Sequence, residues 1–108
     1  MNISFEMKMD ELWVGFSGEL DHHSAKGVGD KIDLEIMLQQ PRCVYLDFGN
    51  LGFMDSSGLA VIMGRRRTCI DFGIELMVVN LKGSIRKVLL MSGLQKYVKI
   101  EENCYETN

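Results

Sequence analysis

The sequence has little of what most function classes require. Its 108 residues include one proline, three cysteines and two histidines, and acidic residues exceed basic ones to leave a net charge of −3. That balance argues against nucleic acid or an anionic membrane as the main partner, since both call for a surplus of Lys and Arg. The longest uninterrupted apolar run in the middle of the chain, residues 59–63, is far short of the roughly 20 residues that span a bilayer. No basic segment followed by an apolar one opens the chain, so no secretory leader is expected. Cys43, Cys69 and Cys104 are widely spaced and form no C-x-x-C, which favours free thiols in a reducing cytoplasm over a disulfide scaffold or a zinc site. No G-x-x-x-x-G-K-[ST] loop occurs. Gly27-Val28-Gly29 lacks the third glycine of a dinucleotide fingerprint, Ile32 standing in its place. No cofactor is expected.

What is present is a folded, mixed pattern. A hydrophobic fraction of 46% with so small a net charge excludes a disordered chain. Residues 2–9 alternate, with Ile3, Phe5, Met7 and Met9 on one face, and residues 12–17 repeat the alternation with Leu12, Val14 and Phe16. Period two marks half-buried strands, and the two residues between them predict a hairpin, although neither is Gly or Asn. A polar connection over 18–23 leads to a helix capped by Asp21 or Ser24, carrying Ala25, Val28, Ile32 and Ile36 at helical spacing and closed by Pro41. Residues 43–46 read as a buried strand, with 47–50 leading out of it. A second helix over 56–72, with Leu59, Ile62, Met63 and Ile70 as its stripe, ends at Gly73. A strand over 74–79, a helix over 84–92 stopped by Gly93, and a last strand over 97–100 complete the order. The pattern predicts one α/β domain over residues 1–108. Its sheet is mixed, of four to five strands, an N-terminal hairpin followed by parallel strands, flanked by three or four helices.

The densest candidate for chemistry is Phe53-Met54-Asp55-Ser56-Ser57-Gly58-Leu59, at the exit of a buried strand and the start of a helix. Ligands and partners gather at the carboxyl ends of strands in open α/β sheets. The plain alternative is a well-capped helix: Asp55, Ser56 and Ser57 all suit an N-cap, and Gly58 allows another backbone to come close. A serine nucleophile elbow needs glycine where Met54 stands, and the only histidines are His22 and His23, so hydrolase chemistry is a distant reading. His22-His23 beside Asp21 lacks a third metal ligand at suitable spacing and reads as a polar loop. Arg65-Arg66-Arg67 spreads around a helix and reads as a solvated face, favourable near the negative end of the dipole. The methionines, Met54, Met63, Met77 and Met91 among them, read mostly as core filling.

Three segments together resemble the STAS domain family: 18–24 (Gly-Glu-Leu-Asp-His-His-Ser), 53–59, and Met91-Ser92-Gly93-Leu94. Within that family the Glu-Leu-Asp-His-His run resembles the sporulation branch of the anti-sigma factor antagonists, with the general-stress branch as the nearest alternative. The resemblance implies a phosphorylatable serine at Ser56, and a partner surface made of Asp21, Asp55, Ser57, Gly58 and Leu59. It implies that the unphosphorylated chain binds an anti-sigma factor that is also a serine kinase, so releasing a sigma factor. Phosphorylation of Ser56 would end the complex and a serine phosphatase would reset it. It further implies a non-catalytic cytoplasmic protein, expected as a monomer, without metal, membrane or direct nucleic-acid contact. Family members commonly end in a further helix, for which residues 101–108 are short.

Overall fold

A computed structural model describes residues 1–101. The elements run β1 (Asn2–Lys8), β2 (Glu11–Leu20), α1 (His22–Ala25), α2 (Val28–Gln39), β3 (Cys43–Met54), α3 (Ser56–Phe72), β4 (Glu75–Val79), α4 (Gly83–Ser92), a 3₁₀ turn (Leu94–Lys96) and β5 (Lys99–Glu101). The five strands lie side by side in chain order. β1 and β2 pair antiparallel, and every later neighbour pairs parallel. This is the mixed sheet the pattern predicts. None of the described helices is long and apolar enough to cross a membrane.

One sheet face carries the core. Leu12, Val14, Phe16, Val44, Leu46, Phe48 and Val78 are all shielded there, joined by Ile32 and Ile36 of α2, Ile62 of α3 and Leu89 of α4. Phe16 and Phe48 meet edge to face with centroids 4.7 Å apart, the arrangement the ring quadrupole favours. On the opposite face, Trp13 stacks on Tyr45 across the β2–β3 pair at 4.3 Å.

Several expected boundaries move. Met9 is not on the buried face of β1: it forms the hairpin turn with Asp10, adopts a positive φ of 57° and is almost wholly exposed. The turn takes the left-handed conformation without a glycine, at the steric cost that implies. Residues 18–20 are not loop but the end of β2, and 47–54 continue β3. Both were hidden by register shifts. Gly15 faces Asp47 and Ser17 faces Asn50; Gly18 faces Leu51 and Glu19 faces Phe53. Each shift places an extra residue in β3, a bulge that interrupts alternation. The first helix is broken in two, because Gly27 takes φ 81° between α1 and α2. The last strand begins at Lys99, since 94–96 wind as a 3₁₀ turn. Residues 102–108, with Cys104 and most of the segment considered for a terminal helix, lie outside the described residues.

The second long helix matches its expected span, and Gly73 caps it in the left-handed conformation, its N–H bonding to Cys69 O and Ile70 O. Its buried stripe is shifted: Gly58, Val61, Ile62, Arg65 and Cys69 face inward, whereas Ile70 is exposed. Met91 is likewise exposed and fills no core. The arginine triplet is not uniformly solvated either. Arg65 is buried, Arg66 Nε donates to Tyr97 O at 3.0 Å, and Arg67 lies out in solvent near Asp71.

Burial pushes the thiols of Cys43 and Cys69 up, to about 11 and about 12. At pH 8 the thiolate fraction of Cys43 is then about one in a thousand, and that of Cys69 smaller still. Iodoacetamide treatment of the native protein, read by peptide mass mapping, is expected to leave both unmodified over times that label them fully in urea. Rapid native labelling at either position would contradict their placement in the core.

Candidate functional site

The site is set by where two parallel strands stop. The last pair of the β2–β3 ladder is Leu20 with Met54, and the Asp55 N–H donates to Leu20 O at 3.3 Å. The next residue on each strand is an aspartate, and each aspartate caps a helix. Asp21 Oδ1 accepts from the Ser24 N–H at 2.9 Å, while the Asp21 N–H donates to Ser24 Oγ at 2.9 Å. These reciprocal bonds form a capping box at the start of α1. Ser24 Oγ also reaches back, donating to Glu19 O at 2.7 Å. Asp55 Oδ1 accepts from the Ser57 N–H at 2.8 Å and so caps α3. Two helix N-termini therefore open side by side at one end of the sheet.

Hydrogen bonds from the Ser24 backbone, then from its hydroxyl, hold the Asp21 carboxyl below its usual value, with His23 adding a smaller favourable charge. Asp21 is therefore ionised at neutral pH. The rings of His22 and His23 lie 6.2 Å apart and inclined to each other, and no metal-holding group of acidic, histidine or cysteine residues occurs among the described residues.

The structure separates the two serines. Ser56 occupies the first position of α3 with its side chain exposed, and its hydroxyl makes no hydrogen bond among the described residues. Ser57 is half-buried and turned toward α1. The close approach that Gly58 permits is internal: a Cβ there would collide with Cγ and Sδ of Met54 and press on Leu20. Leu59 is half-buried against the core. The seven-residue segment thus points Ser56 outward, Gly58 inward, and Ser57 and Leu59 between.

Phe53 opens this segment, and strand alternation alone does not mark it as a contact residue. It stands on β3 one residue before the last strand pair and is 45% exposed. An aromatic ring left in solvent beside a helix start is a ready contact for a partner. The signal for it was the second bulge, which sequence alternation does not reveal.

Comparison with known proteins gives matches over nearly the whole chain. The model of the STAS domain family matches residues 2–107. The anti-sigma F factor antagonist of Paenibacillus polymyxa is 40% identical over 105 residues, 95% of this chain and 90% of that protein. Among solved structures, the anti-sigma factor antagonist SpoIIAA in its unphosphorylated form superposes with a TM-score of 0.81 at 28% identity, over 95% of this chain and 89% of that one. The Bacillus cell fate determinant SpoIIAA in its phosphorylated form gives 0.73 at 28% identity, over 95% and 92%.

Replacing Gly58 by Ala is expected to destabilise the fold by about 1 kcal/mol, overpacking against Met54 outweighing the gain in helix propensity. Urea unfolding checks this through the midpoint. An unchanged or raised midpoint would show that Met54 yields freely and that Gly58 is not needed to seat α3.

Proposed function

The chain belongs to the STAS domain family, and on that premise we propose that it is a phosphorylation-gated antagonist of an anti-sigma factor. The coarse role, an anti-sigma factor antagonist of the SpoIIAA type, follows from the likeness in both sequence and fold. The finer role is our reading. Unphosphorylated, the chain docks through the helix starts at Asp21 and Asp55, with Ser57 and Leu59 in the contact and Gly58 seating the helix beneath it. Its partner is an anti-sigma factor with serine kinase activity, and docking releases the sporulation sigma factor. The kinase modifies Ser56, the complex dissociates, and a serine phosphatase restores the binding form.

The observation that carries this reading is the exposed Ser56 hydroxyl at the first position of α3, beside a carboxylate cap and free of hydrogen bonds among the described residues. A kinase reaches it without unfolding anything. Phosphate there adds about −1.5 to −2 charges. The helix tolerates it, since an anion at a helix N-terminus contributes roughly 0.3–1 kcal/mol of stabilisation. A partner does not. Docking must desolvate the phosphate beside Asp55, with the ionised Asp21 at the neighbouring helix start, and burying an unpaired charge costs several kcal/mol. A loss of about 2.8 kcal/mol is about a hundredfold in affinity.

Incubating the chain with its kinase and ATP and mapping the product by mass spectrometry is expected to place the phosphate on Ser56 alone. Ser56→Ala should bind the anti-sigma factor as the wild type does and resist release by ATP. Modification at another residue, or a folded Ser56→Ala protein that fails to bind, overturns the reading.

Phe53→Ala tests the docking surface separately. It is expected to weaken binding by about tenfold, as loss of an exposed aromatic anchor does, with thermal unfolding nearly unchanged. Undiminished affinity would remove Phe53 from the contact.

A further inference from the structure

Arg65 is a charged group that neither the core nor the switch explains. It leaves α3 toward α2 and is nine-tenths buried, 9% exposed. Gly29 makes the room: a Cβ at that position would run into the guanidinium, Nη1 first. Asp33 Oδ1 lies 2.9 Å from Arg65 Nε, yet neither atom makes a directed hydrogen bond. The contact balances charge without satisfying donors. Of the five N–H donors of a guanidinium, the one on Nε is buried and faces Asp33 without a directed hydrogen bond. The outer nitrogens remain available to an acceptor in the cleft that Arg65 lines.

Arg65 borders a cleft of about 360 Å³ between α1, α2 and α3. Lys26, His22 and the Ser57 side line the same cleft, and Asp30 is the one carboxylate on its wall. The first turn of α2 also borders it. Gly27, the N-cap of that twelve-residue helix, offers no side chain to its backbone N–H groups, so the positive end of the helix is left uncapped. Ala25, Ala60 and Val61 supply an apolar side.

We propose that this cleft binds a tetrahedral oxyanion, as free phosphate or as the phosphoryl group of a small phosphomonoester. The outer nitrogens of Arg65 form a two-pronged donor edge suited to two oxyanion oxygens. The amides opening α2 and the Lys26 ammonium complete the cradle. The apolar side takes the organic part of an ester. Gly29 is the selectivity device, because its missing side chain lets the guanidinium lie against α2. The cleft adjoins the docking face through Ser57, which lines it, whereas Ser56 does not.

The test is an amide-resolved NMR titration of the full chain at constant ionic strength, with inorganic phosphate and with phenyl phosphate as probes. Saturable shifts are expected at Val28, Gly29, Val61 and the Arg65 Nε–H. Tighter binding of phenyl phosphate assigns the cleft to an ester, and equal binding assigns it to free phosphate. Arg65→Gln and Gly29→Ala should each weaken binding by about tenfold or more, the loss of a charge-assisted pair. Gly29→Ala also favours the helix backbone, so its effect is readable even if Arg65→Gln fails to fold. Shifts that never saturate, shifts scattered over the surface, or saturable binding unaltered in Gly29→Ala would overturn the proposal.

Discussion

The bond from the Asp55 N–H to the Leu20 carbonyl ties two helix starts to one strand pair. Glu11 faces Cys43 at one end of the β2–β3 ladder and Leu20 faces Met54 at the other. Over that stretch β3 spends two more residues than β2, both absorbed in bulges. Without them Leu20 would face Gly52, and Asp55 would emerge well beyond Asp21. The bulges therefore bring the two capping aspartates level. Everything proposed for Ser56 depends on that alignment, because it sets the exposed Ser56 hydroxyl next to Asp55 at the same end of the sheet where Asp21 caps α1.

A gate of this kind needs its surroundings to hold still when charge is added. α3 is seventeen residues long and closed at both ends, by the Asp55 side chain and by the Gly73 backbone. Gly58, one turn in, is clamped over Met54 and Leu20. In the proposed switch, a phosphate at the first position meets a helix end that favours an anion, so the electrostatic penalty falls on the incoming surface and not on the fold.

Much of this was legible in the residues. The alternation of β1, the span of α3 and its glycine stop are local signals, each carried by one element's own pattern. So was the segment that holds Ser56. What escaped was non-local. The second half of β3 is written with Gly49, Asn50 and Gly52, which read as a loop because bulges abolish period two. Ile70 looked like part of a stripe until the inward face proved to run through Gly58 and Arg65. Arg65 itself looked solvated, since its burial depends on a missing side chain at Gly29, thirty-six positions away in sequence. Met9 adopts a backbone conformation that its residue type disfavours; only the hairpin around it dictates that.

The central claim is electrostatic, and its most direct measurement is the affinity of the anti-sigma factor for the chain carrying phosphate on Ser56 against the unmodified chain, across a salt series. The account predicts a loss of about a hundredfold at low ionic strength that shrinks as salt screens the phosphate, with amide spectra showing the same fold in both forms. Equal affinities, or a loss insensitive to salt and accompanied by rearrangement of α3, would contradict it.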